Sequence, residues 1–82
     1  MKAFVLIALK EGIERELLRA VKEYPEVNNA YILFGEWDII LEMEVADAEQ
    51  LGTFVMENIR SREDVRLTSS LIVAGKWVRL SA

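Results

Sequence analysis

The densest chemistry in this sequence lies in four consecutive residues, Gly35-Glu36-Trp37-Asp38. They set a turn-forming glycine, two carboxylates and a large aromatic between the strand-like runs Val27 to Phe34 and Ile39 to Val45. At the tip of a β-hairpin, such a group offers backbone N–H donors and negative charge to a small polar ligand. An amino acid matches both needs. Its ammonium suits Asp38 or Glu36, and its carboxylate suits exposed N–H groups near Gly35. The plain alternative makes Gly35 a positive-φ turn residue, Trp37 a core or interface aromatic, and Glu36 and Asp38 solvated turn carboxylates.

A second polar group, Thr68-Ser69-Ser70, interrupts a run that is apolar afterwards at Leu71, Ile72 and Val73. Strand alternation puts Thr68 and Ser70 on one face and Ser69 on the other. Two hydroxyls projecting together can hold a polar ligand, whereas the plain reading is a solvent-facing edge segment. Catalysis finds little support. With no His and no Cys, the chain lacks the usual general base near neutral pH and the thiolate nucleophile. Glu42 and Glu44 share a strand face and, with Asp38, could form a carboxylate row for magnesium or calcium. Alternate acids on a strand are more often its wet face. No Gly-rich phosphate loop is present. No catalytic residue, metal ligand or cofactor is therefore expected.

The elements that must position these residues follow from periodicity. Residues 3 to 9 are continuously apolar, which predicts a strand buried on both faces. From Ile13 the period becomes helical, with Leu17, Ala20 or Val21, and Tyr24 on one side, until Pro25 ends the helix. Val27 to Phe34 resumes as a strand. Beyond the Gly35 turn, Trp37, Ile39, Leu41, Met43 and Val45 alternate with polar or exposed positions. Asp47 followed by Gln50 resembles a capping box, and Ala48, Leu51, Val55 and Ile59 give a second amphipathic helix. A last strand is predicted from about Val65 to Ala74, followed by a tail with Trp77, Val78 and Leu80 that is apolar for a loose end. The order β-α-β-β-α-β predicts an α+β, ferredoxin-like sandwich, with a four-stranded antiparallel sheet and both helices on one face. It predicts a single domain over residues 1–82.

Composition sets the wider limits. A chain of 82 residues buries roughly 60–65% of its surface on folding and commonly needs reinforcement. With no Cys and no His it has neither disulfide nor structural zinc, so association with other copies is the remaining route. The 52% apolar content and the two apolar faces of the first strand predict dimerisation through open sheet faces. A net charge of −4, with both signs dispersed, disfavours direct binding to nucleic acid. No apolar run reaches the roughly 20 residues of a membrane span. The start resembles a signal peptide, but no small-residue cleavage site precedes Lys10-Glu11-Gly12, and a cytoplasmic location is expected.

Together these residues resemble a known family. Ala3 to Leu9, Tyr24-Pro25-Glu26-Val27, the Phe34-Gly35-Glu36-Trp37-Asp38 turn, Asp47 to Ile59, and Val65 with Thr68-Ser69-Ser70 look like the effector-binding (RAM) domain of Lrp/AsnC, or feast/famine, transcriptional regulators. The resemblance implies a homodimer assembling into higher rings, commonly octamers, with amino acid effectors in clefts between dimers. It implies that Asp38 and the Gly35 to Trp37 backbone hold the effector, and that Thr68 and Ser70 occupy the family's Thr-x-Thr position, with Ser in place of the second Thr. Family members that bind DNA carry a helix-turn-helix ahead of this domain, whereas this sequence starts at the first strand. A stand-alone sensing module is therefore expected, not an enzyme, modulating transcription by co-assembly with full-length Lrp/AsnC regulators. Two other readings stay open: a small ferredoxin-like dimeric enzyme of oxygenase or isomerase type, and a purely structural oligomerisation module.

Overall fold

Eight consecutive residues from Lys2 to Leu9 form the first strand of the computed structural model, which describes residues 1–80. Ser81 and Ala82, the end of the tail noted above, lie outside the described residues. The elements are β1 (Lys2–Leu9), α1 (Glu14–Val21), β2 (Val27–Ile32), β3 (Ile39–Glu44), α2 (Ala48–Phe54) with a π-helical continuation (Val55–Ile59), and β4 (Val65–Ile72). The sheet is antiparallel in the order β2-β3-β1-β4, so β1 and β3 are central and β2 and β4 are edges. This is the ferredoxin-like arrangement that the element order predicts.

Register decides which apolar set of β1 is covered. Ala3, Val5, Ile7 and Leu9 are buried and pack with Ile39, Leu41 and Met43 of β3. Leu17 and Val21 of α1, with Leu51, Phe54, Val55 and Ile59 of the second helical segment, close the core from above. On that second segment Phe54 is buried where Ala48 was expected, because Ala48 sits in the exposed first turn. Tyr24 meets the Phe54 ring edge-on, with centroids 5.2 Å apart and planes at 89°, a favoured aromatic geometry. The other face of β1 carries Phe4 and Leu6, half-buried, flanked by Ile40 of β3 and by Leu67 and Leu71 of β4. Tyr31 of β2, opposite Ile40, extends this open apolar face and is exposed.

Three element boundaries are shorter than periodicity suggests. The first helix stops at Val21 and hands over to turns, Glu23 N–H donating to the Ala20 carbonyl and Tyr24 N–H to the Val21 carbonyl. Strand β2 ends at Ile32, leaving Leu33 and Phe34 in the hairpin loop. Strand β4 ends at Ile72 because only Val73, through its N–H to the Lys2 carbonyl at 3.0 Å, continues the pairing. The Asp47 cap forms as expected, with Gln50 N–H donating to its carboxylate at 2.8 Å.

The turn into β4 is pinned by a two-pronged ion pair. Arg62 Nε and Nη2 donate to the two carboxylate oxygens of Asp64 at 3.0 and 2.9 Å, and the Asp64 carbonyl accepts from Lys10 N–H. The bond from Arg62 holds the Asp64 carboxyl below its ordinary pKa, against the opposing effect of partial burial. A depressed carboxylate pKa contributes stability above the unfolded-state value, about 3.9, and that contribution is lost as pH falls through the lower folded value. Replacing Asp64 by Asn should therefore flatten the decline in urea midpoint below about pH 4. A decline as steep as in the parent protein would remove the pair from the acid response. Leu41 is wholly buried at the sheet centre, so Leu41→Ala should cost about 2–5 kcal/mol in urea unfolding at fixed protein concentration.

Candidate functional site

The hairpin loop is set differently from a four-residue tip starting at Gly35. Leu33 N–H donates to the Asp38 carbonyl at 2.8 Å, so the tip is Phe34 to Trp37 and Asp38 stands at its base. Gly35 has φ of 157°, and nothing lies within 4 Å of where a Cβ would project, so backbone conformation rather than crowding favours glycine there. Phe34, Gly35 and Glu36 are exposed, while Trp37 and Asp38 are half-buried.

Asp38 has a structural task that its sequence position did not reveal. Its N–H donates to the Ile7 carbonyl at 2.9 Å, and its carboxylate Oδ2 accepts from Leu9 N–H at 2.6 Å. Regular pairing between β1 and β3 ends at Ile7 and Ile39, so the carboxylate supplies an acceptor where the strand ladder has run out. A hydrogen bond to a charged group is worth roughly 1.5–3 kcal/mol, enough to fix this end of β1. Only one carboxylate oxygen is used in this bond, and the other keeps the capacity to accept from a ligand.

The hydroxyl group divides as alternation requires, but the register adds where each face points. Thr68 lies opposite Ile7 and Ser70 opposite Val5, so both belong to the helix-covered side, whereas Ser69 lies opposite Leu6 on the open side. Because β4 is an edge strand, Ser70 is exposed and Thr68 and Ser69 are half-buried. Strand β1 runs between β3 and β4, which separates the Asp38 end from the hydroxyls by two strand spacings, roughly 10 Å. The seven residues singled out by sequence thus form two half-sites, not one.

Thr68 lines a cavity of about 300 Å³ together with Arg60, Val65, Arg66 and Leu67. Two guanidiniums beside a hydroxyl make a recognition set for a carboxylate or phosphate. The π-helical turn places one of them: Arg60 N–H donates to the Val55 carbonyl at 2.8 Å, an i to i+5 bond that widens the last turn. Sequence reading missed both arginines. Arg66 falls at the register shift between the Ala8–Leu67 and Leu9–Val65 pairs, where alternation along the strand is broken. Arg60 has a place that depends on the widened turn. A second cavity of about 390 Å³ has the opposite character, with Glu26, Asp47, Glu49 and Glu57 on its wall, and would repel a carboxylate. Glu42 does not join Asp38 and Glu44 in a metal site: it accepts from Asn29 at 3.2 Å and lies 3.8 Å from Lys2 Nζ. Among the described residues no three potential ligands converge for a metal.

Known proteins share this architecture. The family model described as the Lrp/AsnC ligand binding domain matches residues 2–80. An uncharacterised HTH-type transcriptional regulator of Pyrococcus furiosus is 34% identical over 73 residues, covering 85% of this chain and 49% of the relative. The chain spans about half the length of the curated relatives it matches. A solved protein from Thermus thermophilus is 31% identical with a TM-score of 0.86, covering 95% of this chain and 98% of its own. A transcriptional regulator of Neisseria meningitidis, solved in complex with L-Met, is 25% identical with a TM-score of 0.84, covering 95% of this chain and 52% of the regulator. With the family model spanning the whole sheet and both helices, this chain belongs to the Lrp/AsnC ligand binding domain family.

Proposed function

We propose that this chain is an amino-acid-sensing oligomerisation module, with residues 1–82 forming one domain, that influences transcription through other Lrp/AsnC proteins rather than by reading DNA or by catalysis. The observation that carries the reading is the likeness, over 95% of the chain, to a regulator solved with L-Met. The Thermus thermophilus protein, matched over 98% of its own length, is a solved chain of the same extent as this domain. The dispersed charge and the lack of His and Cys support a non-enzymatic, protein-mediated role, and among the described residues no helix is long and apolar enough to cross a membrane. A cytoplasmic location accords with a role in transcription.

The half-sites give this reading a mechanism. The Asp38 base of the hairpin, with Gly35, Glu36 and Trp37 above it, offers negative charge for an ammonium. The β4 edge, with Thr68 beside Arg60 and Arg66 and with Ser69 and Ser70 following it on the strand, offers hydroxyls and cations for a carboxylate. Strand β1 keeps them apart within one chain, so an amino acid small enough to sit on either half needs a neighbouring copy to complete its cleft. A ligand held between copies stabilises the assembly it bridges, and it shifts the population toward higher rings such as an octamer only by its differential affinity for that state.

A thermal-unfolding screen of the twenty amino acids at millimolar concentration tests the sensor reading. A ligand at 100 times its Kd adds about 2.7 kcal/mol per site and should raise the midpoint by several degrees for a selective subset. No shift for any amino acid would favour the purely structural module. Asp38→Asn keeps an acceptor for Leu9 N–H and removes the charge, so it should weaken the effector at least about tenfold while the unliganded protein stays folded with its midpoint lowered by several degrees. Calorimetric affinity equal to that of the parent would take Asp38 out of the site. Arg60→Gln should weaken binding in the same assay if the β4 cleft holds the carboxylate.

A further inference from the structure

Charge on the walls of the β4 cavity specifies more about a ligand than a single carboxylate. Arg60 and Arg66 both line it beside Thr68, and among the described residues no carboxylate does. The ion pairs among those residues join the N-terminus to Glu44, Lys2 to Glu42 and Arg62 to Asp64, so neither cavity arginine has a partner. Asp64, two residues before Arg66, is taken already: Arg62 occupies both of its carboxylate oxygens at 3.0 and 2.9 Å. Glu57, one helical turn before Arg60, lines the acidic cavity instead. In a chain with 14 Asp or Glu against 10 Lys or Arg, two guanidiniums thus share one cavity without a counter-charge.

One carboxylate satisfies one guanidinium, whose planar fork donates two parallel N–H bonds to its two oxygens. A ligand with a single carboxylate leaves the second arginine unused. A ligand with two anionic groups a few bonds apart uses both, and a cavity of about 300 Å³ is within the range of small-molecule sites. At the other half-site, Asp38 supplies one negative charge, with one oxygen outside its bond to Leu9 N–H. Glu36 is exposed at the hairpin tip, where water and salt screen it. Two cations on one half-site and one anion on the other are the complement of two carboxylates and one ammonium. An amide or apolar side chain satisfies only one guanidinium, and a basic side chain sets a further cation against two.

We propose that the effector is a dicarboxylic amino acid, L-glutamate or L-aspartate, with its two carboxylates on Arg60 and Arg66 and its ammonium on Asp38 of a neighbouring copy. The inference rests on the sensor reading of the split site and names the class of its ligand. One arginine takes the α-carboxylate that every amino acid has. The other takes the side-chain carboxylate that only the acids have, and it sets the selectivity.

Calorimetry with matched ligands tests it. L-Glutamate and L-aspartate should bind at least about tenfold more tightly than L-glutamine and L-asparagine, which share their shapes and lack the second charge, and than L-methionine, which is apolar. Arg60→Gln and Arg66→Gln lie at exposed positions and should keep the fold by circular dichroism. In one variant the acid should fall to the affinity of its amide, because the side-chain carboxylate has lost its partner. In the other, acid and amide should weaken together, because the α-carboxylate has. An acid-to-amide ratio unchanged in both variants overturns the proposal. An amide or methionine bound as tightly as the acids also overturns it and leaves the sensor reading standing, whereas no binding by any of the twenty amino acids removes both. Glutarate, with two carboxylates and no ammonium, and inorganic phosphate separate an amino acid from dianions in general. Each should bind at least about tenfold more weakly than L-glutamate, and equal affinity would make the cavity a general dianion site and overturn the proposed class.

Discussion

The organising constraint is that β1 is apolar on both faces while the two helices can cover only one. A single four-stranded sheet must then leave Phe4, Leu6, Ile40, Leu67 and Leu71 at its surface. Burial of Ala3, Val5, Ile7 and Leu9 beneath Leu17, Leu51, Phe54 and Ile59 builds the core that holds the fold together. Each fully buried side chain of this kind contributes about 1.5–3 kcal/mol relative to leaving it in water, so the helix-covered face dominates stability. The uncovered face acts in the opposite direction. It favours any arrangement that removes it from water, and association between copies does so without altering the core.

The same economy governs the polar residues. Asp38 is held at the end of β1 because the ladder between β1 and β3 stops before Leu9 and leaves that N–H needing an acceptor. A carboxylate placed there serves the fold first, and only its other oxygen is left out of that bond. Thr68, Arg66 and Arg60 gather at the other edge of the sheet because β4 is unpaired on its outer side and the π-helical turn widens beside it. Under the function proposed above, a site split in this way would make ligand binding and association parts of one equilibrium, a direct physical route from a small molecule to a change in assembly.

Much of this was legible in the residues. The order of elements, the Asp47 cap, the buried row Ile39, Leu41 and Met43, and the two-faced β1 all follow from periods of 2 and 3.6 and from local turn chemistry. The boundaries at Val21, Ile32 and Ile72 were less so, because a helix or strand ends where its partners end and not where apolar residues end. Phe54 in place of Ala48 has the same cause: a helix face is chosen by what it meets.

The sequence by itself determined the fold class, the excess of apolar surface and the absence of thiol and imidazole chemistry, since these depend on residue type and on periodicity along the chain. Tertiary structure alone decided that the hairpin carboxylate and the strand hydroxyls stand on opposite sides of β1, and that Arg60 joins Arg66 and Thr68 around one cavity. Register and a single widened helical turn set those positions. Register arises from contacts between segments distant in the chain, and the turn from an i to i+5 bond between Arg60 and Val55 that no apolar period marks.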